Sequence, residues 1–374
     1  MIYLDYASTT PMSDDALYVF NEATKRFFGN SSSLHEIGTI ANDALESCRK
    51  TWAGMLDCYR EGIFFTSGGT ESNQLAVQSL VDGNKMKGNH LITTEVEHSS
   101  LYNLFKKYEE EGYEVTYLPL GADGQINLQQ LQSSLRPTTI LVSIQAVNSE
   151  TGFIQPIEAI GALLQKRNIP FHTDFVQGFG NLSLSVNHNY IDSLSIASHK
   201  IYGPKGVGLC YINPRVNWKG QIPNTTHELG FRPGTVDVPS IMAFTRAAQR
   251  LTERREIHRN KMKYLRNTFL ELLEKSSIPF TLYESPTVQL PQIIALSIAK
   301  LQGQYIMLEC NKHNIAISTG SACQVGRQSP SRTLLSLGKG KDEANQLVRI
   351  SLGKNTTLDE INQLVKVLSN IVKQ

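Results

Sequence analysis

A lysine placed between a short apolar strand and a glycine turn can anchor a carbonyl cofactor covalently. The stretch SIASHKIYGPKG, from Ser195 to Gly206, has that form. Lys200 would be the anchor, and His199 beside it would bind an anion. A solvated surface turn carrying two basic side chains is the plain alternative.

Three other stretches carry residue types that fit the same chemistry. In FFTSGGTESNQLAV (64–77) a strand runs into Thr-Ser-Gly-Gly-Thr and then a helix. Backbone N–H groups at a helix start, approached closely past glycine, make an anion cradle, here Gly69 and Thr70. An ordinary capped turn reads the same way. In PFHTDFVQGFG (170–180) Asp174 closes a strand. A carboxylate there can keep a pyridine nitrogen protonated, so that the ring accepts electrons, and Gln177 could donate to the ring hydroxyl. A helix N-cap is the simpler role for an isolated aspartate. In ITTEVEHSSL (92–101) His98 sits between strand and helix, where imidazole can stack on a flat ring and move protons near neutral pH. Cradle, stacking histidine, aspartate and lysine, in that order, can assemble a pyridoxal phosphate site on one sheet.

A sheet must hold these groups. Short apolar runs at 62–66, 90–94, 114–120, 138–145, 169–174, 192–197 and 206–212 read as strands. Several are apolar on both faces, as in a sheet covered by helices. Helical patterns near 70–86, 98–112, 127–135 and 156–168 alternate with them, which predicts an α/β fold with a mostly parallel central sheet. Such sheets bind ligands at the carboxyl ends of their strands. A long helical pattern follows from Val238 to Leu272. LPQIIALSIA (290–299) reads as a strand, and the chain closes on an amphipathic helix with Thr357 and Glu360 as its capping box. At 374 residues, about two domains are expected. A large one covers 13–250, and a smaller α+β one combines 1–12 with 251–374.

Composition excludes several classes. The net charge of +2, with 19% charged residues, gives no reason to expect nucleic acid or an anionic membrane as partner. No apolar run has the length of a membrane span, and MIYLDYASTTP lacks the pattern of a signal peptide. Five cysteines without C-x-x-C spacing fit free thiols in a reducing cytoplasm.

Ten motifs in order carry a resemblance across essentially the whole chain: IYLDYASTT, FGNSSSLHEIG, TSGGTESN, EHSS, VNSETG, HTDFVQ, SHKIYGPKG, HELGFRPGT, STGSACQ and VRISLG. The sequence resembles the fold-type-I pyridoxal-phosphate enzymes, and among them the NifS/IscS cysteine desulfurases. The resemblance implies a homodimer that takes sulfur from L-cysteine, releases L-alanine and passes the sulfur to an acceptor protein, such as an iron–sulfur scaffold or a thiolation enzyme. Lys200 would anchor pyridoxal 5'-phosphate. His98 would stack on the ring, Asp174 would pair with its nitrogen and Gln177 would meet its hydroxyl. Gly69, Thr70, Ser198 and His199 would hold the phosphate, and Thr235 would reach the partner subunit's phosphate. Arg349 would clamp the substrate carboxylate, a task suited to a bidentate guanidinium, with Asn148 and Ser149 near the substrate. Cys323 would carry the persulfide, in a Gly-, Ser- and Pro-rich loop near 320–333 that reads as exposed. Arg327 and Arg332 nearby would favour its thiolate. Cys48, Cys58, Cys210 and Cys310 read as packing residues. A selenocysteine lyase or another aminotransferase-like enzyme is the alternative on the same fold.

Three positions depart from the family pattern. Ala197 stands where a phosphate-binding serine is usual, with Ser198 one residue later, and a one-residue shift turns a strand side chain to the opposite face. Ser149 replaces the second asparagine of NNE. Leu229 replaces the first arginine of HERGMR, while Arg232 is kept.

Overall fold

The computed structural model describes residues 1–285, 288–320 and 330–373. A seven-stranded sheet runs in the order Ile63–Thr66, Gly208–Ile212, Ser193–Ala197, Phe171–Asp174, Thr139–Ser143, His90–Thr94, Glu114–Leu118. Gly208–Ile212 is antiparallel to both of its neighbours; the other six strands point one way. The fold is therefore α/β with a mostly parallel central sheet. All strands except the edge strand Glu114–Leu118 are buried along their whole length. Their apolar runs face helices on both sides, which explains why they lack the alternation of a half-exposed sheet.

The helices Gly69–Asn84, Ser99–Glu110, Leu128–Ser134 and Ile157–Gln165 fall where the sequence pattern puts them. Two more, Asp14–Arg26 and Glu36–Leu56, were not among the expected elements. The first does carry a readable start: Ser13 caps it, and Asp14 and Asp15 follow in its first turn.

The long pattern from Val238 breaks. One helix spans Val238–Glu253 and the next Arg255–Lys275, with Arg254 at φ −108°, ψ 13° between them. No proline or glycine causes the break. The apolar stripe ends at Leu251 and resumes at Met262, across the charged run ERREIHR. The first helix packs Ile241, Phe244 and Ala248 into the core around the large sheet. The second packs Met262, Leu265 and Phe269 into a separate core with Leu4, Ile294, Val348 and Leu364. The backbone turns where the chain changes cores.

That second core backs a three-stranded antiparallel sheet of Val348–Ser351, Ile293–Ile298 and Phe280–Leu282. The chain start joins it: Ile2–Tyr3 pairs in parallel with Ile315–Ala316, and Asp5 bridges to Ser351. The closing helix, Leu358–Lys373, begins with the expected box. Glu360 N donates to Thr357 Oγ1 at 3.3 Å, and Thr357 N donates to Glu360 Oε2 at 2.9 Å.

Candidate active site

The site lies beyond the carboxyl ends of the parallel strands. Lys200 follows Ser193–Ala197 in a single 3-10 turn, Ser198–Lys200. Its Nζ donates to the carbonyls of Ala7 and Ser8, at 2.6 and 2.7 Å. The Ala7 carbonyl also accepts from Gln177 Nε2 at 2.8 Å. His199 Nδ1 meets Thr9 Oγ1 at 3.2 Å, and its carbonyl accepts from Thr10 N at 2.8 Å. The N-terminal segment thus touches the lysine, the histidine and the glutamine together. Sequence reading assigns this segment no individual site residue, and its contacts to Lys200 and Gln177 run through backbone carbonyls that residue type does not mark. Burial, with Lys200, Lys205 and His98 adding to it, lowers His199 to about 4. Near neutral pH it is an uncharged imidazole that can donate a hydrogen bond.

Asp174 and His98 are joined through two residues that the motifs contain but that received no role. Asp174 Oδ2 accepts from Asn73 Nδ2 at 2.8 Å, and Oδ1 from Val176 N at 3.0 Å. The same Asn73 amide lies 3.0 Å from Ser100 Oγ, which in turn is 2.8 Å from His98 Nδ1. His98 caps Ser99–Glu110, accepting from Ser100 N at 3.2 Å. Asn73 Oδ1 faces His172 Nε2 at 3.3 Å, and the opposite nitrogen of that ring meets Ser193 Oγ at 2.9 Å. Just before His98, Glu97 is fully buried. Its Oε1 accepts from Thr94 Oγ1 and Gln145 N, and its Oε2 has no partner among the described residues. Burial pushes this carboxyl up to about 8.

The candidate anion cradle opens the helix Gly69–Asn84. Gly68 stands at φ 151°, a conformation open to glycine. The antiparallel strand comes so close that a Cβ on Gly208 would lie 2.7 Å from Gly68 Cα. Thr70 is exposed at the helix start. A Cβ on Gly69 would sit 3.3 Å from Ala197 Cβ, whereas Ser198 Oγ lies 2.1 Å from where a Cβ on Gly203 would be. Ala197, not Ser198, faces the cradle. The Ser198 hydroxyl is buried against Gly203 and has no hydrogen-bond partner among the described residues. Glu71 accepts from Arg232 Nε at 2.8 Å and from Ser67 N. Glu228, left-handed at φ 45°, reaches Arg49 at 3.0 Å and Phe65 N on the strand leading to the cradle. Leu229 beside it is also left-handed and is exposed. Thr235 is exposed.

Arg349 comes from Val348–Ser351. Its Nη1 donates to Ser149 O at 3.0 Å, and its Nη2 to Asp5 Oδ1 and Ser8 Oγ at 2.8 and 2.6 Å. Asn148 does not turn its carboxamide outward. Its Oδ1 accepts from Glu150 N, Thr151 N and Thr151 Oγ1, and its Nδ2 donates to Thr333 Oγ1 at 3.1 Å. It braces the turn that presents Ser149. Glu150 accepts from Ser331 Oγ, and its Oε1 would lie 3.4 Å from a Cβ on Gly320. Cys323 and Arg327 lie outside the described residues. Arg332 stacks 3.8 Å over the Tyr102 ring and donates to Glu97 O at 2.9 Å. Burial raises the thiols of Cys48, Cys58, Cys210 and Cys310, to about 12 for Cys58 and Cys310. This fits packing residues and leaves them poor nucleophiles.

The family model described as aminotransferase class-V matches residues 2–364. A Bacillus subtilis (strain 168) protein named "Putative cysteine desulfurase NifS" is 46% identical over 376 residues, covering 100% of this chain and 95% of its own. The cysteine desulfurase IscS of Clostridium botulinum (strain Kyoto / Type A2) is 35% identical, covering 100% and 94%. Among solved structures, a NifS-like protein superposes with a TM-score of 0.92 at 28% identity, covering 100% of this chain and 99% of its own. One titled SspA in complex with cysteine gives a TM-score of 0.83 at 32% identity, covering 94% and 99%.

Proposed function

The chain belongs to the aminotransferase class-V family, and from that membership we propose that it is a pyridoxal-phosphate-dependent cysteine desulfurase of the NifS/IscS kind, converting L-cysteine to L-alanine. Full-length similarity to named cysteine desulfurases supports the reaction. The single observation that carries the assignment to these residues is the convergence of Lys200, Gln177, His199 and Arg349 on the segment Asp5–Thr10.

The donor set fits the cofactor. An uncharged His199 and the glycine-lined helix start suit a phosphate. A carboxylate held by Asn73 and a backbone N–H suits a protonated ring nitrogen, and a lysine among carbonyls suits the anchor. Gly69, Thr70 and His199 would hold the phosphate, Asp174 the ring nitrogen, Gln177 the ring hydroxyl and His98 the ring face. When bound, the cofactor supplies an electron sink for the substrate's α-carbon.

The chain's own groups do the rest. Arg349 holds the substrate carboxylate, with Ser149 at the rim. Lys200, once its amine is free, takes the α-proton and can return it. The Cys323 thiolate attacks the substrate sulfur, forming an S–S bond while the C–S bond breaks. The electron pair of that bond stays with carbon, which is protonated to give alanine. Sulfur remains on Cys323 as a persulfide for an acceptor protein, which we infer to be an iron–sulfur scaffold or a thiolation enzyme. His98 manages the thiol proton. A homodimer in which Thr235 reaches the partner's phosphate completes the reading, with one domain at 13–250 and the other formed by 1–12 and 251–374. We assign it to the cytoplasm. No helix among the described residues is long and apolar enough to cross a membrane.

The test is alanine and sulfide production from L-cysteine with a thiol reductant, comparing wild type with Cys323→Ala after both show the visible band of bound cofactor. Loss of turnover in the variant alone supports the desulfurase. Equal turnover removes Cys323 from the mechanism and moves the assignment to a selenocysteine lyase or aminotransferase-like enzyme.

A further inference from the structure

A guanidinium has five N–H donors arranged as two forks that can each grip a carboxylate. One fork pairs Nε with Nη2, and the other pairs Nη1 with Nη2. Both forks of Arg349 therefore need an Nη2 hydrogen. In this structure the two Nη2 donors go to Asp5 Oδ1 and Ser8 Oγ. Nη1 spends one donor on Ser149 O. Nε is buried with no partner among the described residues, in a side chain only 2% exposed. No carboxylate can take a two-point grip on Arg349 until Asp5 or Ser8 lets go.

We propose that Asp5 and Ser8 form an internal stand-in for the substrate at Arg349, and that an amino acid's carboxylate seats by exchanging with them. The inference rests on Arg349 as the carboxylate clamp. Asp5 is suited to leave: its side chain is 19% exposed, so it can pass to water. Ser8 Oγ also donates to Asp5 Oδ1 at 2.9 Å, which gives the released carboxylate a second tether. The incoming carboxylate gains the Nε donor that no described residue satisfies. Exchange of one carboxylate for another keeps one carboxylate in contact with the guanidinium. A ligand with a second carboxylate would bring an extra negative charge up to the displaced Asp5, so the device selects monocarboxylic amino acids.

Holoenzyme is titrated with L-alanine, a one-carboxylate ligand, and binding is followed in the visible spectrum of the cofactor. Asp5→Asn keeps the shape of the side chain and removes the competing charge. It is expected to bind L-alanine roughly tenfold more tightly, the worth of one charge-assisted hydrogen bond that no longer has to be displaced. Ser8→Ala should shift binding the same way by less, and it decides the matter if Asp5→Asn does not fold. Unchanged or weaker binding in the folded variant overturns the exchange. Arg349→Ala serves as the reference: strong loss of L-alanine binding keeps the clamp whatever Asp5 does. Undiminished binding in Arg349→Ala removes the clamp, and the exchange falls with it.

Discussion

The carboxamide of Asn73 donates towards Asp174 and Ser100 and takes His172 on its oxygen. Asn73→Ala would leave three buried groups on two elements, Asp174 and His172 on one strand and Ser100 on a helix, short of a partner. The expected cost is about 2–3 kcal/mol in urea unfolding, with weaker cofactor retention; undiminished stability would mean that water replaces the amide. His172 gives a pH prediction. Burial lowers its imidazole from the ordinary 6.5 to about 3. The unfolded chain takes up that proton first, so this contribution is complete above about 6.5 and drains as pH falls towards 3. Between pH 6.5 and 5 the wild type should lose ~2 kcal/mol more than His172→Gln, measured by denaturation at each pH. Parallel curves would show that the ring is already charged in the folded protein. Lys200, Asp174 and His98 are legible in the sequence because each stands at or just beyond the end of a readable apolar strand. Asn73 and Glu97 are not. Inside a helix an asparagine reads as neutral, and only its packing against the strand Phe171–Asp174 and the start of the helix Ser99–Glu110 makes it a junction.

At the scale of elements, the strand Gly208–Ile212 runs against its neighbours and brings Gly208 against Gly68. An added methyl there meets backbone, which cannot swing aside as a side chain would. Gly208→Ala should cost about 1–3 kcal/mol and push the cradle turn outward. Apoprotein carrying it should lose more affinity for pyridoxal phosphate than for pyridoxal, because only the phosphate depends on the turn. Equal losses would detach Gly68 from the phosphate. Strand positions were readable because both-sided burial produces continuous apolar runs. The division of the long helix at Arg254 was not, since the apolar spacing on its two sides keeps the same period. Only the identity of the core on each side separates them.

For the molecule as a whole, the first ten residues are the structural link between the two cores. Leu4 packs in the second core, and Ala7 in the first. Between them Asp5 holds Arg349, and beyond them Thr10 is hydrogen-bonded to His199. Removing residues 1–10 is expected to abolish turnover while far-UV circular dichroism keeps most of the helix signal. Retained turnover would place the working site elsewhere. The same link has a temporal side. Asp5 and Arg349 are 344 residues apart in the chain, so in translation Asp5 waits for all of that intervening chain before its partner strand is made. Contacts of such sequence separation close late. A nascent chain can build the large sheet and the cradle early, yet Lys200 and Arg349 acquire their shared brace only when the last strand leaves the ribosome. An unfinished polypeptide thereby carries the pieces of a sulfur-releasing centre without the fastening that makes them one.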